Sequence, residues 1–122
     1  MASLLAVTGI GAMAATSRVS GTASYRERIA LPPGAVFEAV LEDVSAADAP
    51  AVELGRATIS DPGNPPFKFE ITYDAGSVEA NRTYSVRAQV SVGRRLMFVS
   101  DTMNPVLTGG AGESIDVRMI KV

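Results

Sequence analysis

The stretch Arg82-Thr-Tyr-Ser-Val-Arg-Ala-Gln-Val-Ser-Val92 sets Tyr84, Val86, Ala88, Val90 and Val92 in strict alternation with Ser85, Arg87, Gln89 and Ser91. A period of two puts the first set on one face of a pleated strand and the second on the other, so the strand needs an apolar layer to cover it. The covering candidate lies just upstream, where Phe67, Phe69, Ile71 and Tyr73 alternate with Lys68, Glu70 and Thr72. These two strands predict a sheet with one dry face and one wet face, and the remaining segments fall into place around them.

Moving toward the N-terminus, residues 52–59 form a strand whose apolar parity shifts from Val52 and Leu54 to Ala57 and Ile59, with Gly55 at the shift, which predicts a β-bulge. Residues 36–43 form another, with Phe37, Ala39 and Leu41 inward and Val36 and Val40 on the outer face. Residues 19–25 alternate as the first strand, and Pro32-Pro33-Gly34 stops any continuation because proline fixes φ and lacks an N–H. Toward the C-terminus, Gly93-Arg94 predicts a hairpin into residues 96–100, and residues 115–122 form the last strand. Asp74 to Asn81 is read as a helical turn or an irregular crossover. About seven strands, Gly/Pro turns and no amphipathic helix predict an all-β fold, an antiparallel two-sheet sandwich of immunoglobulin or transthyretin type. Tyr84 fits either a tyrosine-corner position or a plain core aromatic.

The chain's 122 residues suit one domain. Residues 1–16 are read as an export-signal remnant or a disordered tail, since an uncharged apolar run ends in the small-x-small triplet Ala12-Met13-Ala14. Residues 17–122 are read as the single sandwich domain. The net charge is -2 with both signs mixed along the chain, so no basic stripe points to nucleic acid or to an anionic membrane surface. Cysteine and histidine are both absent. Zinc, copper and haem thereby lose their usual ligands, and every Ser-His or Cys-His pair is excluded, so no cofactor is expected.

The remaining constellations are read blandly. Glu70 with Asp74, and Asp101 with Asp116, are solvated carboxylates rather than an acid/base pair. Asp61-Pro-Gly-Asn64 is a turn, because it lacks the spaced acidic ligands of a calcium loop. Gly109, Gly110 and Gly112 are followed by no Lys-Ser/Thr and make no phosphate loop. Asn81-Arg-Thr83 matches a glycosylation pattern that nothing else in the chain supports. Tyr25-Arg-Glu-Arg28 is either a recognition edge for a peptide strand or a charged border that discourages aggregation. The candidate partner-binding residues are therefore Arg26, Glu27 and Arg28, together with Pro62, Pro65 and Pro66 of the proline-rich loop.

Five segments carry a resemblance. Gly21-Thr-Ala-Ser-Tyr-Arg-Glu-Arg-Ile-Ala-Leu-Pro-Pro-Gly-Ala35, Leu41-Glu-Asp-Val-Ser-Ala-Ala-Asp-Ala-Pro50, Pro66-Phe-Lys-Phe-Glu-Ile-Thr-Tyr-Asp74, Arg82-Thr-Tyr-Ser-Val-Arg-Ala88 and Pro105-Val-Leu-Thr108 resemble, in order, landmark segments of the YbaY/YscW family of bacterial envelope lipoproteins, and are closer to its YbaY branch. The resemblance implies a small exported β-sandwich, periplasmic or outer-membrane-associated and usually tethered by a lipidated cysteine. The YscW branch acts as pilotins, chaperones that help a type III secretion secretin assemble in the outer membrane. This chain has no cysteine, so lipid anchoring does not carry over, and Asn104 stands where the family has an aromatic. No catalytic residue maps from the family. The expected function is a non-enzymatic, pilotin-like chaperone or assembly factor that binds an envelope protein such as a secretin or another outer-membrane component, with membrane association an open expectation and no lipidation cysteine in the sequence. The alternative is a module for an envelope polysaccharide or other ligand, favoured by an exposed aromatic platform.

Overall fold

Alternation along the chain becomes eight strands: β1 (Thr16–Ser24), β2 (Ala35–Asp43), β3 (Val52–Ser60), β4 (Phe67–Asp74), β5 (Tyr84–Val92), β6 (Arg95–Ser100), β7 (Pro105–Val106) and β8 (Ser114–Lys121). The computed structural model describes residues 15–122, so the triplet Ala12-Met13-Ala14 and the export reading attached to it lie outside the described residues. β4 alternates buried and exposed without a break, and β2 buries Phe37, Ala39 and Leu41 as their parity requires. A 3₁₀ turn at Ala75–Ser77 follows β4, started by Asp74, whose Oδ1 accepts from Gly76 N at 2.9 Å.

The expected two-sheet antiparallel sandwich is corrected by the strand pairing. The order runs β3-β2-β5-β6-β8-β1-β4 as one hydrogen-bonded path, with β7 attached to β5. β8 makes it continuous, pairing in parallel with β1 over Ser114–Arg118 and antiparallel with β6 over Met119–Lys121. The two end strands of this path, β3 and β4, then face each other, so the sheet wraps into a nearly closed barrel. Alternation fixes which face of each strand is dry, but it is silent on whether two layers join at their sides.

Side chains from all around the barrel fill its interior. Tyr25 stacks on Phe98 at 3.9 Å between ring centroids, and Phe37 lies 5.2 Å from Phe67 and 6.0 Å from Phe69. Tyr84 serves as both core aromatic and corner: it is fully buried, and its hydroxyl accepts from Glu79 N at 2.8 Å and donates to Ser77 O at 3.4 Å. The bulge predicted at Gly55 is present, since Leu41 opposes Gly55 while Glu42 opposes Glu53, leaving Leu54 as the extra residue. Asn104 is buried, and its Nδ2 donates to Val86 O at 3.1 Å and Thr102 O at 3.0 Å, tying the segment before β7 to β5 by polar contacts.

Phe69→Ala should cost about 3–5 kcal/mol, because a ring from the packed interior is lost. Lys68→Ala, one residue away on the wet face, should stay within about 0.5 kcal/mol. Urea midpoints of the two variants check this, and equal midpoints would show that β4 faces the other way.

Candidate functional site

The place where the barrel fails to close is the most distinctive surface of the molecule. Among the described residues β3 pairs only with β2 and β4 only with β1, and no ladder joins β3 to β4. Near one end the two strands are pressed together at Gly55, where an added Cβ would run into the carbonyl oxygen of Thr72 and sit 2.8 Å from Ile71 Cγ2. Only glycine allows that approach. Toward the 61–66 connection the strands part, leaving an open cleft of about 550 Å³ bordered by Ala57, Thr58 and Ile59 on one side and Lys68, Phe69 and Glu70 on the other. Parity puts Ala57, Ile59 and Phe69 on its floor and the exposed Thr58, Lys68 and Glu70 on its rim. An apolar floor between two strand edges with free backbone groups can take a side chain, a strand or a helix from another polypeptide.

The sequence-derived candidates lie elsewhere and fall into two groups. Arg26, Glu27 and Arg28 sit in the exposed connection after β1, which ends at Ser24, so they are not a strand edge. Tyr25 turns inward there and donates from its hydroxyl to Ile29 O at 3.1 Å. Arg26 and Glu27 border a shallow cleft of about 210 Å³ with Arg118, Met119 and Ile120. Pro62 borders a separate hollow of about 250 Å³ between the 25–34 and 61–66 connections, which Asp61 fastens together by accepting from Gly34 N at 3.0 Å. Pro65 and Pro66, joined by a cis peptide bond, lie outside that hollow. The cleft between β3 and β4 escaped sequence reasoning; its one signal was Gly55, whose bulge was legible while the strand packed against it was not.

Three of the four carboxylates weighed as acid/base pairs are engaged structurally, and Asp101 is exposed. Glu70 faces Arg18 at 3.5 Å, Asp74 caps the 3₁₀ turn, and Asp116 accepts from Thr22 Oγ1 at 2.7 Å. Among the described residues no group of three or more Asp or Glu is placed to hold a metal ion. On the outer face of β2, Arg56 bridges Glu38 at 2.6 Å and Glu53 at 2.7 Å, while Arg87 reaches Glu42 at 3.2 Å. Hydrogen bonds to Glu53 and then Glu38 raise the Arg56 pKa further above its ordinary value. Val40, flanked across the strands by Arg56 and Arg87, is only 1% exposed although it points outward, because the arginine stems cover it.

Comparison with known proteins extends over nearly the whole chain. Residues 14–119 match the family described as "Type III secretion system lipoprotein chaperone (YscW)". The protein described as "Uncharacterized lipoprotein YbaY" from Escherichia coli (strain K12) is 35% identical over 105 residues, 85% of this chain and 55% of that protein. The chain thus spans about half the length of this curated relative. An alternative pilotin from the type II secretion system of Vibrio cholerae superposes with a TM-score of 0.84 at 35% identity, over 88% of this chain and 98% of that one.

Two expectations follow from the geometry. Gly55→Val should force β3 from β4 and cost about 1–3 kcal/mol, read as a lower urea midpoint with faster amide exchange along both strands. The second concerns Asp43, whose carboxyl is held down at about 2, from the ordinary 3.8, by hydrogen bonds from Ser45 and then from Arg82. Its depressed pKa means that the unfolded chain takes up this proton first as the pH drops. The stabilisation is complete above about pH 4 and disappears as the pH falls through about 2. Asp43→Asn should therefore lose less melting temperature than the parent over that interval, and identical losses would show that the carboxylate contributes nothing.

Proposed function

The chain belongs to the YscW family of secretion-system lipoprotein chaperones, and on that premise we propose that it is a non-catalytic, pilotin-like envelope domain whose cleft between β3 and β4 binds a component of a secretion apparatus. The observation that carries this reading is an unsealed, apolar-floored seam in a barrel shared with a pilotin over 98% of that protein's chain. Binding there draws on apolar burial and strand-edge hydrogen bonds and requires no titratable group. An outer-membrane secretin is the proposed partner, and the exported, outer-membrane-associated location of such a partner is the proposed location of this domain. Arg26, Glu27, Arg28, Pro62, Pro65 and Pro66 are proposed as outlying contacts that orient the partner, since exposed loops at a barrel end are where shape and charge vary freely.

The polysaccharide reading loses its support, because it calls for an exposed aromatic platform. All seven aromatic side chains, Tyr25, Phe37, Phe67, Phe69, Tyr73, Tyr84 and Phe98, are buried.

Thr58→Arg, on the exposed rim, would hang a cation over the cleft while leaving the interior beneath untouched. Capture of detergent-solubilised secretin by this variant should fall at least about tenfold with little change in melting temperature, a tenfold loss being about 1.4 kcal/mol of binding free energy. Arg26→Ala combined with Arg28→Ala should weaken capture by a smaller factor, as exposed charges contribute at most about 1 kcal/mol each. Undiminished capture by Thr58→Arg would sink the seam as the binding surface.

A further inference from the structure

Charges that look mixed along the chain are sorted by the fold. β1, β3, β5 and β8 finish, and β2, β4 and β6 begin, at one end of the barrel. The connections and strand tips at that end bring together Arg26, Arg28, Arg94, Arg95, Arg118 and Lys121, against two carboxylates, Glu27 and Asp61. Asp61 is already engaged with Gly34 N. The connections at the opposite end carry six carboxylates, Asp43, Asp48, Asp74, Glu79, Asp101 and Glu113, and one cation, Arg82, which pairs with Asp43 at 2.6 Å. A chain with a net charge of -2 therefore has a basic rim and an acidic rim.

Two further observations single out the basic rim. Arg18, Arg56, Arg82 and Arg87 all form ion pairs, whereas none of the six rim cations does so among the described residues. Among the described residues, four of the six large apolar side chains that stand exposed are also here: Ile29 at 40%, Leu96 at 37%, Ile120 at 43% and Val122 at 67%. They belong to adjoining segments. Ile120 pairs with Val99, Val122 N donates to Met97 O at 2.9 Å, and Arg26 shares a cleft with Ile120.

We propose that this rim docks on an anionic lipid bilayer, with the arginines and Lys121 on headgroup phosphates and Leu96 and Ile120 at the acyl boundary. Unpaired cations interleaved with exposed apolar side chains suit that boundary, where charge and apolar area add. The side chains project from a hairpin tip, a strand end and a loop, which a planar surface can meet together. An acidic peptide would need a basic groove instead; the cleft beside Arg26 holds about 210 Å³ and carries its own carboxylate, Glu27, and the neighbouring hollow at Pro62 is bordered by Asp61 and by no cation. The patch lies on the β5-β6-β8 side, in the middle of the strand path, whereas the seam joins the two ends of that path. The seam and the Leu96–Ile120 patch therefore lie on different sides of the barrel, with Arg26 and Arg28 the residues common to both proposals, and this inference does not depend on the seam.

The chain has no tryptophan, so a single one reports its own position. Full-length protein carrying Leu96→Trp should show a blue-shifted, brighter emission with vesicles of phosphatidylcholine containing phosphatidylglycerol. No shift should occur with phosphatidylcholine alone, and high salt should reverse the shift. Adding Arg94→Glu and Arg95→Glu should raise the half-saturating lipid concentration at least about tenfold, since each cation near such a surface contributes roughly fivefold. Ile120→Trp supplies the same readout should Leu96→Trp fail to fold. Unshifted emission from a folded variant, or an equal shift with both vesicle types, overturns the proposal. Binding of polyglutamate without a response to vesicles overturns it in favour of an acidic polypeptide.

Discussion

The division of β8's hydrogen bonds between β1 and β6 is the constraint on which the architecture rests. A strand buried on one face must place its backbone donors and acceptors along both edges. β8 does so by lying parallel to β1 through Arg118 and antiparallel to β6 from Met119 onward. This joins β1 and β4 to the remaining strands and makes one curved sheet. Gly21 permits the join, because a Cβ there would collide with the carbonyl oxygen of Ile115 across the β1–β8 ladder.

Joining the sheet through β8 leaves β3 and β4 as its two ends, and their behaviour follows from a second close approach. At Gly55 backbone approaches backbone closely, while beyond it the strands part around a cleft lined by Ala57, Ile59 and Phe69. The cleft that results places strand-edge backbone groups beside an apolar floor, a surface chemically suited to another chain.

Charge is arranged with equal economy. On the outer face of β2, paired arginines screen Val40 and lock neighbouring strands. At the basic rim the cations have no carboxylate partners among the described residues and stand among exposed apolar side chains. The paired arginines serve the fold, and the others leave their charge uncompensated at the surface. Polarity of this kind gives a small barrel two chemically different ends without altering its net charge.

The sequence alone determined seven of the eight described strands, their dry faces and the bulge, and missed the two-residue β7, which is too short to show a period. Alternation at Tyr84–Val92 and Phe67–Asp74 is a local property of a pleated backbone, and Gly55 marks a local break in parity. Family membership was also legible, because its landmark segments are contiguous runs of residues. Tertiary structure decided that two expected layers are one wrapped sheet, that the Gly55 bulge packs on Thr72, and that Arg26, Arg95 and Arg118 share an end of the barrel. Each of these is a pairing between residues far apart in the chain. Periodicity carries no information about partners, only about faces, and the free energy that selects the partners comes from burial and hydrogen bonding realised once the sheet has curved on itself.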